Sequence, residues 1–139
     1  MASNGTNGAK GPPRKSIIVT GGASGIGLAL TRHFASQGHQ IAVLDINARI
    51  GAEVVAGVAS EYPAATLTFK TCDVSSWDQQ ASVFEEVFKE HGDRIDVVMA
   101  NAGISEQGSS SLAGIDEDKP SKPQLKVLDV NLLGTVYSK

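Results

Sequence analysis

The chain has 139 residues, 41% hydrophobic and 19% charged, which is within the size of one globular domain. Its net charge is −3, and the three cations of the first 15 residues leave 9 basic against 15 acidic side chains, or −6, in the remainder, which argues against a nucleic-acid or anionic-membrane surface. A single cysteine, Cys72, excludes an internal disulfide, and no apolar run approaches the roughly 20 residues of a membrane span, so a cytoplasmic setting without membrane contact is expected.

Residues 1–15 are rich in Gly, Asn, Ser and Pro, with Lys10, Arg14 and Lys15 as their charges. They have too few apolar groups to offset the entropy of ordering, so a flexible N-terminal tail is expected, followed by one domain over 16–139. Ile17–Thr20 is a β-branched run of strand type that stops at Gly21-Gly22. A helix is predicted from Ser24 or Gly25 to Gln37, closed by Gly38. Gln40–Asp45 is an apolar run of strand length, expected to be buried on both faces. Asn47 is a candidate cap for a second helix with Ile50, Val54, Val55 and Val58 on its apolar face, ended near Pro63. Ala65–Thr71 is a third strand, and Ser75 and Ser76 can cap a third helix over Trp77–His91 with Val83, Phe84, Val87 and Phe88 inward. Ile95–Ala100 holds a fourth short strand, followed by Asn101-Ala102-Gly103. Residues 108–123 read as a surface loop, and a last helical pattern starts near Pro123 or Gln124 with Leu125, Leu128, Leu132 and Leu133 apolar. Strand and helix alternate throughout, which implies an α/β fold with a parallel sheet.

The turn between the first strand and helix carries the chemistry. Gly21, Ser24, Gly25, Ile26 and Gly27 bring a glycine-rich backbone to a helix N-terminus. There, unpaired N–H groups and the helix dipole favour a phosphate. Asp45, at the end of the second strand, can accept hydrogen bonds from both hydroxyls of an adenosine ribose, and it repels a 2′-phosphate. Neither Ser24 nor Ile46 beside these motifs is basic, so NAD is preferred and NADP is the less favoured cofactor. Asp45 can equally serve as a cap for the second helix. Asp73 can take the adenine amino group while Val74 offers its backbone, or can be a turn acid; Asn101 can tie strand ends together beneath the small residues Ala102 and Gly103. His33, His39 and His91 have no metal-ligand spacing, so no metal is expected, and Cys72 reads as a core thiol.

Together, Thr20-Gly21-Gly22-Ala23-Ser24-Gly25-Ile26-Gly27, Asp45, Asp73-Val74, Asn101-Ala102-Gly103, and Asn131 with Gly134 resemble the short-chain dehydrogenase/reductase family from about Ser16 to Lys139. The resemblance implies a Rossmann-type doubly wound sheet with four strands in the order 3-2-1-4 and a nicotinamide dinucleotide across the switch point. It implies hydride transfer between that cofactor and an alcohol or ketone. It assigns Asn131 to a proton path through a held water, and it makes a homo-oligomer an expectation. The family's Ser and Tyr-x-x-x-Lys have no counterparts here, so this chain is expected to hold the cofactor-binding portion of such an enzyme without turnover of its own. The alternative is a non-catalytic dinucleotide-binding fragment that acts through a partner. Tyr137 and Lys139 are only two apart and differ by about 200° around a helix, so Tyr137 reads as a packing residue.

Overall fold

A computed structural model describes residues 13–105 and 125–139. The loop expected over 108–123 lies wholly outside them, as does most of the expected tail. The elements run β1 (Ser16–Thr20), α1 (Gly25–Ser36), β2 (Gln40–Asp45), α2 (Ala48–Glu61), β3 (Thr66–Thr71), α3 (Trp77–Glu90) and β4 (Val97–Met99). A final helix, α4, spans 126–137. It is α-helical over Lys126–Leu128, π-helical over Asp129–Leu133 and α-helical again over Gly134–Tyr137.

The four strands form one parallel sheet in the order β3-β2-β1-β4. Ile17 lies opposite Ile41 on one side and Val97 on the other, so β1 is enclosed by neighbours. Alternation then sorts the side chains. Ile17, Val19, Ile41 and Val43 face α1 and α2, where Ala35 and Val58 complete a core. Ile18, Ala42 and Leu44 face α3, where Val87 and Cys72 join them. The central apolar side chains of β1 and β2 are fully buried, and each contributes about 1.5–3 kcal/mol. The edge strand β3 is less covered; its Lys70 reaches Glu86 at 3.2 Å and Glu90 at 2.6 Å on α3.

Several sequence expectations shift. Ile50 and Phe88, expected inward, are exposed; Gly51 and Val87 are the buried residues beside them, and Gln80 is buried nearer the start of α3. Arg14 and Lys15, expected in the tail, are fastened to the sheet. The Arg14 guanidinium donates to Thr66 Oγ1, the Lys15 N–H to His39 Nδ1 at 3.3 Å, and Arg94 donates to the Arg14 carbonyl. The Lys15 carbonyl also accepts from the Gln40 N–H at 3.0 Å, just ahead of β1.

Two details of packing generate measurable consequences. Gly27 opens onto the carbonyl of Gly21: a Cβ there would stand 2.0 Å from that oxygen and 2.6 Å from Asn101 Nδ2. The obstacle is backbone and cannot rotate away. Gly27→Ala is therefore expected to cost about 3 kcal/mol and to lower the thermal midpoint by roughly 10 °C. The second detail is His91, buried at the C-terminus of α3 with Nδ1 2.7 Å from Ser16 Oγ and Nε2 without a partner among the described residues. Burial holds its pKa below the ordinary 6.5. The unfolded chain takes up this proton as pH falls through 6.5 while the fold resists it, so the contribution is complete above pH 6.5 and declines below it. The thermal midpoint should fall more steeply between pH 7 and pH 5 in the wild type than in His91→Gln.

Candidate functional site

The strand order places β2 on one side of β1 and β4 on the other, and a cleft of about 650 Å³ opens beyond the C-terminal ends of these strands. Crevices of parallel α/β sheets form at this point, because successive connections leave to opposite faces. Gly21, Ser24, Gly25, Ile26, Asp45, Ile46, Asp73, Val74, Asn101, Ala102 and Gly103 all line the cleft. Gly27 and Asn131 do not line it. Gly27 acts behind the turn, as the close approach to Gly21 requires.

The floor is built from backbone. Gly21 has φ of +63°, and a Cβ there would meet Ala102 Cα at 2.8 Å. Only glycine combines that conformation with that approach. The Thr20 hydroxyl, buried, accepts from the N–H groups of Asn101 and Ala102, each at 3.1 Å. Asn101 Nδ2 donates back to the carbonyls of Thr20 at 3.0 Å and Gly21 at 3.3 Å. These bonds clip the ends of β1 and β4 together.

At the start of α1, Ser24 makes no capping bond, and the first intrahelical bond is Leu28 N–H to the Ser24 carbonyl at 3.0 Å. The N–H groups of Gly25, Ile26 and Gly27 therefore have no acceptor within the helix. A Cβ on Gly25 would meet nothing within 4 Å. Open space in front of free amides at a helix N-terminus suits a phosphate group.

The acids are set by local turns. Asp45 Oδ2 accepts from Ala23 N–H at 3.2 Å and Oδ1 from Asn47 N–H at 3.1 Å. The cap of α2 is Asn47, whose Oδ1 accepts from Ile50 N–H at 3.1 Å, so Asp45 is not that cap. A carboxylate has about four acceptor positions, so Asp45 keeps room for further donors. Asp73 uses Oδ1 to accept from the backbone and hydroxyl of Ser75, at 2.9 and 2.6 Å. Cys72, 2% exposed, also contributes to the cleft lining; burial first, and the Asp73 charge second, push its thiol up to about 11, so it stays neutral.

Asn131 sits in the π-helical turn, and its amide pairs with Ile104: Oδ1 accepts from the Ile104 N–H at 2.8 Å and Nδ2 donates to its carbonyl at 2.9 Å. It thus holds the segment after β4 against α4. The cleft also has lining residues that sequence reasoning did not single out: Ile104, Ser105, Lys126, Val127 and Val130. Val127 and Val130 are three apart, a helical spacing that could have been noticed. Nothing local to Lys126 signals its position. Among the described residues, no group of three or more His, Cys, Asp or Glu could hold a metal ion, and no helix is long and apolar enough to cross a membrane.

The comparisons with known proteins converge on this architecture. The chain is 40% identical over 128 residues to the NADP-dependent dehydrogenase clz5 of Cochliobolus lunatus, covering 89% of this chain and 43% of that protein. A crystal structure of NADPH-dependent 3-quinuclidinone reductase from Rhodotorula rubra superposes with a TM-score of 0.74 at 31% identity, over 89% of this chain and 44% of that one. NAD+-bound xylitol dehydrogenase superposes with a TM-score of 0.75 at 30% identity, over 89% and 45%. The chain thus spans less than half the length of these relatives. The family model for short chain dehydrogenase matches residues 15–138, and the chain belongs to the short-chain dehydrogenase/reductase family.

Proposed function

We propose that the cleft binds a nicotinamide dinucleotide, NAD in preference to NADP, and that the chain is the cofactor-holding portion of an oxidoreductase acting between an alcohol and a ketone. The observation that carries this reading is Asp45, a carboxylate at the end of β2 that keeps acceptor capacity and lines the same cleft as the free amides of α1. The amides of Gly25 and Ile26 would take the pyrophosphate, with Gly27 shaping the turn behind them, and Asp45 would take the adenosine ribose hydroxyls. Ile46 and Val74 would flank the adenine, with Asp73 accepting from its amino group. Asn101, Ala102 and Gly103 would leave space over the ring that follows. When bound, the nicotinamide supplies the hydride chemistry. Asn131 retains one N–H and one lone pair beyond its Ile104 bonds, which supports a proton-path role.

Two observations favour a second cofactor, NADP. The relative clz5 is named as NADP-dependent, and Lys126 places a cation in the cleft wall. Calorimetry separates the two. NAD is expected to bind at least tenfold more tightly than NADP, because the 2′-phosphate would face the Asp45 carboxylate. Asp45→Ala should weaken NAD about tenfold and narrow the gap. Tighter binding of NADP by the wild type would overturn the preference.

The non-catalytic reading, with action through a partner, rests on a different feature. Leu125, Leu128, Leu132 and Val136 are 46–57% exposed along α4. A row of this kind marks a protein-binding face, and a second copy of the chain is the simplest occupant. Sedimentation of the wild type should give a species heavier than the 14.4 kDa monomer, and Leu132→Asp should return it to the monomer.

A further inference from the structure

Gln80 occupies the position on α3 where the helical spacing of Val83, Phe84 and Val87 calls for an apolar side chain, and it is 1% exposed. Burying a primary amide is costly unless its hydrogen-bonding groups are met, and here they are. Nε2 donates to the Val74 carbonyl at 2.6 Å and to the Gly134 carbonyl at 2.9 Å. Oε1 accepts from the Ser138 hydroxyl at 3.0 Å, and that hydroxyl also lies 2.8 Å from the Gly134 carbonyl. Two carbonyls on one side and a hydroxyl on the other fix which end of the amide is nitrogen.

The three partners come from two separate walls of the cleft. Val74 lines the cleft in the segment after β3, beside Asp73. Gly134 lies in α4 and Ser138 caps its end, and Val130, one turn before Gly134, lines the cleft as well. Contact between these walls is close: a Cβ on Gly134 would stand 2.8 Å from Val74 Cγ2. The short Asp73–Ser76 turn has no strand neighbour to hold it beyond β3. Its fixed points are the Asp73 to Ser75 bonds and the Ser76 N–H to Asp73 carbonyl bond within the turn, the bond from Asp73 N–H to Gln79 Oε1 at 3.0 Å, and the Gln80 amide from below.

We infer that Gln80 is a positioning residue of the adenine subsite, setting the distance between the Asp73-Val74 wall and α4 through the carbonyls of Val74 and Gly134. The inference rests on the reading of Asp73-Val74 as the adenine wall. It extends the site to a buried side chain that touches no part of the cofactor. Gln80→Leu keeps the bulk and removes both donors. The wall is then free to drift, and Asp73 loses its register with the adenine amino group.

The test compares the full chain's affinity for NAD with that for nicotinamide hypoxanthine dinucleotide, in which a carbonyl replaces the amino group. The wild type should favour NAD about tenfold, the worth of one hydrogen bond to a charged acceptor. In Gln80→Leu that preference should fall to about unity, with the hypoxanthine analogue bound as in the wild type. Ser138→Ala leaves both donors and removes only their orienting partner, so it should lose roughly half of the preference on a logarithmic scale; it decides the matter alone if Gln80→Leu does not fold. An unchanged preference, or an equal loss for both dinucleotides, overturns the positioning role. Asp73→Ala separates the two levels. If it abolishes the preference while the Gln80 and Ser138 variants retain it, only the inference fails. If the wild type shows no preference, or Asp73→Ala retains it, the adenine reading fails and the inference with it.

Discussion

The structure depends on one tight approach between backbones, where the end of β1 meets the end of β4. Thr20 supplies a buried hydroxyl that accepts two N–H groups from the opposite strand end, and Asn101 returns two bonds to the carbonyls on either side of the turn. Polar groups buried at these strand ends would otherwise go unpaired, at a cost of up to about 1–3 kcal/mol each. The clip meets those needs and fixes the cleft floor. Gly21 and Gly27 follow from it, because each stands where a side chain would be driven into backbone.

The electrostatics of the cleft follow the same economy of local turns. Asp73 is held by Ser75 of its own turn, and Asp45 by the N–H groups of Asn47, two residues on, and Ala23, 22 residues earlier, so both carboxylates are oriented by hydrogen bonds. Fixed anions beside free helix amides divide the cleft into a part that takes hydroxyls or amines and a part that takes phosphate. Such a division selects for a ligand that carries both kinds of group at a set spacing, which a dinucleotide does.

Much of this was legible in the sequence because the signals are local. The apolar run of Gln40–Asp45 marks a buried strand, and β2 has those bounds; Asn47 and Ser76 are capping residues and both cap. The glycine spacing around Gly21 to Gly27 encodes a turn whose shape requires few neighbours. What the sequence concealed depends on partners distant along the chain. Ile50 and Phe88 fit an inward helical stripe, yet Gly51 lets Phe69 of β3 approach α2, and Val87 takes the buried position beside Phe88. Gln80 gave no signal, because two of its three partners lie 54 and 58 positions away. Lys126 reaches the cleft only through the placement of α4, which no local pattern announces.

The π-helical turn at Asp129–Leu133 bears on how α4 should be read in any relative. A π turn holds one more residue than an α turn would, so the faces after it are rotated by about 100° from where a regular count puts them. Val130, Gly134 and Ser138 form the buried face at intervals of four, while the leucines point outward. Gly134 meets Val74, and Ser138 meets Gln80, only in this phase. The surplus residue is thus a phase setter. A gap or insertion placed within these five positions of an alignment would change which side chains are compared across the whole C-terminal half of the helix.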